Sequence, residues 1–216
     1  MDFLEKAKGM IFDLDNTLLD SHSAWHDVDA EFFRRRKIEM PDDYGRKVAT
    51  MSFVEAAIYS INEFGLDETV EDLTSEWFSA IENKYATELK IFEGVSEYLQ
   101  KLKNQGKKIA LATASSRKLY APALKNNGIY DYFDAFVSTD EVKRGKGFPD
   151  VYLLAAKRAG LAARDCVVFE DIAPGIKAAK SVQMKAVAFL NPNASREWEV
   201  LRQEADGFFD TYFALL

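Results

Sequence analysis

The chain has 216 residues, enough for one large domain or for a core with a smaller insertion. Its 48% hydrophobic and 29% charged residues are those of a globular protein, and a formal net charge of −7 argues against a nucleic-acid or membrane-surface partner. An anionic ligand would therefore need a locally positive site, and a single cysteine, Cys166, excludes an internal disulfide and suits a reducing compartment.

The first element is expected at residues 10–12, an apolar run that ends on Asp13. The charged residues before it do not make a cleavable signal, and no apolar stretch reaches membrane-span length, so a cytoplasmic protein is expected. Residues 21–88 then carry helical patterns without a convincing strand. Val54, Ala57, Ile58 and Ile61 form one stripe, and Val70, Leu73, Trp77 and Ile81 another, each with the spacing of a core-facing helix. Beyond residue 88 the texture changes. Val95, Tyr98, Leu99 and Leu102 predict a helix closed by Gly106, followed by short buried strands at 109–112 and 135–137. A helix opens at Pro149 and stops by Gly160, and two further strands are predicted at 166–169 and 186–190. Alternating strands and helices imply parallel pairing by right-handed crossovers. The expected fold is therefore α/β, a Rossmann-like parallel sheet with helices on both faces. It is formed by residues 1–20 and 89–216 and interrupted by an inserted α-helical cap at 21–88.

In such a sheet, ligands bind beyond the carboxyl ends of the strands. The first strand runs into Asp13, Leu14 and Asp15, followed by Asn16 and Thr17. The second ends in Thr113, Ala114, Ser115 and Ser116; a later loop carries Lys146 in RGKGFPD; the fourth ends in Glu170 and Asp171 before Pro174-Gly175. Each cluster alone could be turn or capping chemistry. Together they bring carboxylates, hydroxyls and one ammonium to one sheet edge. Repelling carboxylates need a cation, and hard oxygen ligands favour Mg²⁺. Lys146 and Thr113 would remain to hold an anion such as phosphate. Alternate residues of a strand share a face, so two aspartates one residue apart can address one group.

These four motifs, in this order, resemble those of the haloacid dehalogenase superfamily, and the resemblance spans essentially the whole chain. It is nearest the subgroup of β-phosphoglucomutase-like phosphatases and mutases, with a small helical cap after the first strand. The resemblance implies a Mg²⁺-dependent phosphatase acting on a small phosphorylated metabolite, a sugar or organic-acid monophosphate. It makes Asp13 the nucleophile that forms an aspartyl-phosphate and Asp15 the general acid and base. It implies Mg²⁺ on Asp13, Asp171 and the Asp15 carbonyl, with Glu170 near the metal's waters or positioning Lys146. Thr113, Ala114, Ser115 and Lys146 would hold the phosphoryl oxygens, and Arg117 would reach the leaving group or lie solvated. The usual Lys-Pro-x-Pro-Asp is here Lys146-Gly147-Phe148-Pro149-Asp150, and Ile172 replaces a frequent serine. Lys143 and Arg144 lie close in sequence, but Lys146 matches the spacing. His22, Trp25 and His26 face the substrate or, in the plainer reading, start a helix with Trp25 packed inward and both histidines at the surface. The rivals are a phosphomutase, for which Arg46 would grip a distal phosphate, and a phosphonate hydrolase using Lys47 or Lys84. A non-catalytic regulator that keeps the fold is a third. Which metabolite is used, and the oligomeric state, stay open.

Overall fold

In the computed structural model, which describes residues 1–216, six parallel strands form one sheet in the order β3-β2-β1-β4-β5-β6. They are β1 (Gly9–Phe12), β2 (Lys108–Thr113), β3 (Ala135–Ser138), β4 (Cys166–Glu170), β5 (Lys185–Phe189) and β6 (Gly207–Phe209). The first four residues of the sheet, β1, are buried throughout because they pair on both sides, Met10 with Ile109 on β2 and with Val167 on β4. The sequence predicts five of these strands. The sixth escapes it because β6 has three residues on the sheet's edge, with Phe208 exposed, too few to show a period.

The strand period divides the core. Met10, Phe12, Ile109, Leu111, Val167 and Phe169 point to one face, against α6 (Val95–Asn104) and α7 (Arg117–Asn126). Ile11, Ala110, Ala112, Val168, Ala186 and Ala188 point to the other, against α8 (Asp150–Arg158), α9 (Ala173–Lys180) and α10 (Trp198–Glu204). Gly106 and Gly160 adopt φ of +70° and +75°, the left-handed conformation that ends the helices before them.

Between β1 and α6 the chain is helical: α2 (His22–Arg36), α3 (Tyr44–Val48), α4 (Phe53–Phe64), α5 (Val70–Asn83) and a π-helical turn over Lys84–Glu88. A short α1 (Asp2–Lys6) precedes the sheet. Serine and threonine caps start α4 and α5 in reciprocal boxes with Glu55 and Asp72. Phe32, Phe33, Tyr44 and Trp77 bury their rings against one another, and Arg36 joins α2 to both Glu68 and Glu76. The stripe on α5 is core, with Leu73, Trp77 and Ile81 buried. The stripe on α4 is met only in part: Ala57 is buried and Ile61 packs against the core, but Val54 and Ile58 are exposed, at 51% and 47%. That helix is apolar on two sides, and packing takes the side with Ala56, Ala57 and Ser60, where the Tyr44 and Ser60 hydroxyls pair at 2.9 Å. No helix is long and apolar enough to cross a membrane.

Candidate active site

The strand ends meet as the sequence leads one to expect. Asp13 lies one residue beyond β1, and its N–H donates to the Phe169 carbonyl at 3.0 Å, so the sheet ladder itself fixes the residue. The chain then turns sharply through Asn16, at φ +63°, with the Leu18 and Leu19 amides both donating to the Leu14 carbonyl. This turn returns Asp15 to the cavity that Asp13 lines.

Asp13 and Glu170 are both ion-paired to Lys146, and all three side chains are buried. Burial pulls the Lys146 ammonium down, but the two carboxylates outweigh it and hold it above the usual lysine value. Arg144, by contrast, lies exposed on Asp150 at 2.7 Å. Glu170 is saturated: besides Lys146 it accepts from the Tyr152 hydroxyl at 2.8 Å and from the Asp171 and Ile172 amides at 3.1 and 3.3 Å. Gly175 allows this packing, because a Cβ there would stand 2.7 Å from both the Glu170 carboxyl carbon and the Tyr152 oxygen. No sequence motif marks Tyr152; its hydrophobic spacing on α8 reads as ordinary core.

Asp13, Glu170 and Asp171 each bring a carboxylate oxygen within 4.8 Å of the other two. Burial pushes the Asp13 carboxyl up to about 7; Lys146 opposes the rise, and the charges of Glu170 and Asp15 add to it. Asp171 is raised well above the carboxylate range, by burial first and then by Asp13 and Glu170. One lysine does not neutralise three acids. A divalent cation would, and a set of hard carboxylate oxygens suits Mg²⁺. Since Glu170 is committed to four donors, Asp13 and Asp171 are the carboxylates with capacity left for a metal.

Asp15 sits in a separate cage of hydroxyls. Ser21 donates to one carboxylate oxygen at 2.8 Å and Ser115 to the other at 2.7 Å. The Tyr85 hydroxyl also donates to Asp15 and in turn accepts from the Trp25 indole at 2.8 Å. Ser21 precedes α2, Trp25 is on α2, and Tyr85 is in the π-helical turn, so the helical segment holds the second aspartate. Tyr85 is invisible to sequence reading, since it acts across 70 residues.

Among the remaining predicted residues, Thr113 is fully buried and its hydroxyl accepts from the Ser115 amide at 2.9 Å, which shapes the turn that presents Ala114 and Ser115 to the cavity. Arg117 goes elsewhere. It lines a shallow depression with Tyr120, Glu141 and Arg158, because α7 turns its side chain toward β3 and away from Asp13. Lys146 is tied to the helical segment as well: its amide donates to the Thr50 carbonyl at 2.8 Å. A Cβ on Gly145 would overlap that carbonyl oxygen, so glycine is needed for the close approach.

The cavity measures about 700 Å³ and lies between the strand ends and α2–α4. His22, Trp25 and His26 line it. Lys146 is its one lysine; Lys47 and Lys84 pair instead with Asp43 and Asp27. Two arginines reach its open side, Arg46, paired with Glu197 at 3.2 Å, and the exposed Arg196, which the sequence gives no reason to single out.

The sequence profile of the family described as haloacid dehalogenase-like hydrolase matches residues 10–189. The Bacillus subtilis protein YhcW is 32% identical over 185 residues, spanning 85% of this chain and 84% of its own. Fructose-1-phosphate phosphatase YqaB of Escherichia coli is 30% identical over 193 residues, spanning 85% and 96%. In fold the chain is similar to the crystal structure of β-phosphoglucomutase from Clostridium difficile, with a TM-score of 0.83 at 23% identity over 97% and 93% of the two chains.

Proposed function

The chain belongs to the haloacid dehalogenase-like hydrolase family and is an enzyme of its phosphatase type; from this we propose that it hydrolyses a small phosphorylated metabolite, a sugar or organic-acid monophosphate, through an aspartyl-phosphate on Asp13. The observation that carries the reading is that Asp13 and Asp15 open onto one cavity with the buried ammonium of Lys146. Phosphoryl transfer asks the protein mainly to position the partners in line and to neutralise charge on the equatorial oxygens.

In this reading the Asp13 carboxylate attacks phosphorus and the bond to the leaving alkoxide breaks as Asp15 delivers a proton to it. Asp15, now ionised, removes a proton from water, which attacks the phosphoryl group and frees Asp13. The cage of Ser21, Ser115 and Tyr85 keeps Asp15 in one orientation. Lys146, the Thr113 hydroxyl and the turn at Ala114 and Ser115 hold the phosphoryl oxygens. Glu170 and Tyr152 fix Lys146. Asp13 and Asp171, with the Asp15 carbonyl, would hold Mg²⁺, which when bound supplies charge neutralisation for the carboxylates and the phosphoryl group. Residues 21–88 act as the cap, with the Thr50–Lys146 and Arg46–Glu197 contacts closing it over the cavity to exclude water. The buried, reduced Cys166 accords with a cytoplasmic setting.

The test is release of inorganic phosphate from a panel of monophosphates, coupled to acid quenching with a ³²P-labelled ester and mapping of the labelled peptide. Label on the peptide containing Asp13 is expected. Turnover without label there would remove Asp13 as nucleophile. A mutase would return the phosphate to the sugar; β-glucose 1-phosphate with a trace of the bisphosphate should give free phosphate here, since Arg46 is occupied by Glu197.

A further inference from the structure

We propose that Asp29 is the residue with which this enzyme selects its alcohol. Its carboxylate accepts hydrogen bonds from hydroxyl or ammonium groups at the end of the substrate remote from the phosphate, and it disfavours esters whose far end carries a second anion. This rests on the phosphatase reading above.

Helix α2 presents two faces. Ala24, Val28 and Phe32 are buried in the packing of the helical segment. His22, Trp25, His26 and Asp29, at i, i+3, i+4 and i+7, all line the cavity. Trp25 is committed to Tyr85. Asp29 is committed to nothing: no hydrogen bond and no ion pair reaches its carboxylate, although Arg34, Arg35 and Arg36 on the same helix all find acidic partners elsewhere. No donor on the cavity wall, the His26 imidazole on the same helix face included, bonds to it. The carboxylate stands beside Gly45, where a Cβ would lie 3.6 Å from it; the Tyr44 hydroxyl is paired with Ser60; Met40 and Phe53 are apolar wall; and the Trp77 indole N–H, also on the cavity wall, is buried and itself without a partner. Burial alone lifts the carboxyl to about 7, with no neighbouring cation to bring it down.

Half-buried acids in folded proteins normally find partners, so an acid with unused acceptor capacity on a cavity wall marks a place where a ligand supplies the donors. A substrate with hydroxyl or ammonium donors completes Asp29, and the rings of Trp25, Phe53 and Trp77 offer surface for its carbon skeleton. A substrate ending in carboxylate or phosphate meets an uncompensated like charge. The cavity's arginines do not relieve it, since both lie at the exposed side and Arg46 is held by Glu197. Sites built around a buried polar group discriminate strongly against partners that leave it unpaired.

The test uses substrates that differ only at the far end: glucitol 6-phosphate, which ends in CH₂OH, its 1-amino-1-deoxy analogue, and 6-phosphogluconate, which ends in carboxylate. At about pH 8, above the titration of Asp29, the wild-type enzyme should favour either donor-bearing ester over 6-phosphogluconate by roughly a hundredfold in kcat/KM, and the two donor arms rank hydroxyl against ammonium. Asp29→Asn should shrink that ratio by about tenfold, chiefly through KM, as loss of a hydrogen bond to a charged group does. A ratio unchanged in Asp29→Asn, or a wild-type preference for 6-phosphogluconate, overturns the assignment. Failure to hydrolyse any ester, p-nitrophenyl phosphate included, would instead overturn the phosphatase reading. Asp29 would then be judged by titration calorimetry with the same esters and variant, where the same tenfold change in the ratio of dissociation constants supports it and an unchanged ratio overturns it.

Discussion

At the scale of single residues, the site is a problem of buried charge. Asp13 has a lysine on one side and two acids close by, and its ladder hydrogen bond leaves it no room to move away. Asp13→Asn is nearly isosteric, so it should lower kcat by at least about a thousandfold while circular dichroism and thermal unfolding show a folded protein; turnover within about tenfold of wild type would remove the residue from the nucleophile's role. Asp29 makes a different prediction, about stability. Its folded value is raised to about 7, so the proton it retains favours the folded state below the unfolded value of about 3.9, and that contribution is lost as the pH climbs to about 7. Asp29→Asn should therefore raise Tm at about pH 8 and leave it unchanged near pH 3. Discounted for its partial exposure, the gain is about 1–2 kcal/mol, or roughly 3–6 °C for a chain of this size. A lower Tm at about pH 8 would mean that Asp29 has a stabilising partner in solution.

At the scale of elements, besides Ser21 and Trp25 at the start of α2, the helical segment reaches into the site at two further points. The first is the π-helical turn, whose Tyr85 holds Asp15 together with Ser115 and Ser21. π-Helical turns are frequently functional because they turn a side chain away from regular helical register. Tyr85→Phe should lower kcat roughly tenfold or more, the worth of one hydrogen bond to a charged group, with KM within about twofold of wild type. An unchanged kcat would show that the two serines suffice to orient Asp15. The second point is the approach of Thr50 to the loop before α8. Gly145→Ala places a methyl group against the Thr50 carbonyl and should break the bond from the Lys146 amide. We expect kcat/KM to fall by roughly tenfold to a hundredfold, with increased protease sensitivity of residues 49–52; wild-type values for both would show that the approach is dispensable.

At the scale of the whole molecule, the sheet gathers acids from two adjacent strands, β1 and β4, onto one edge, and the protein accepts a less stable state to do so. Asp13 and Asp171 both have raised values, so without metal they too retain protons that deprotonated unfolded chains lack. The metal-free protein should thus lose stability as pH rises from about 4 toward 7 and beyond, and added Mg²⁺ should return most of that loss near pH 7. Thermal melts across this range, with and without Mg²⁺, check the sign. Asp171→Asn should flatten the Mg²⁺ response, and a Mg²⁺ response as large as that of wild type would remove Asp171 from the metal site.

What the sequence determined by itself is the set of features carried by short-range pattern. Buried strands of period two, helices ended by Gly106 and Gly160, and polar clusters at the ends of β1, β2 and β4 all follow from residues within a few positions of one another. That pattern sufficed to anticipate the α/β class and to bring Asp13, Asp15, Lys146 and Asp171 to one edge. Tertiary structure alone decided the rest. Whether α4 buries Val54 and Ile58, or Ala56 and Ser60, beside Ala57 depends on a helix rotation that an all-round apolar sequence does not specify. Arg117 leaves the cavity through the direction of α7, and β6 forms because β5 offers an unpaired edge. Tyr85, Tyr152 and Asp29 have no local signature, since a hydroxyl or carboxylate acquires its role from partners, or from their absence, across the fold. Periodicity tells which side of an element is apolar; only packing tells what stands opposite it.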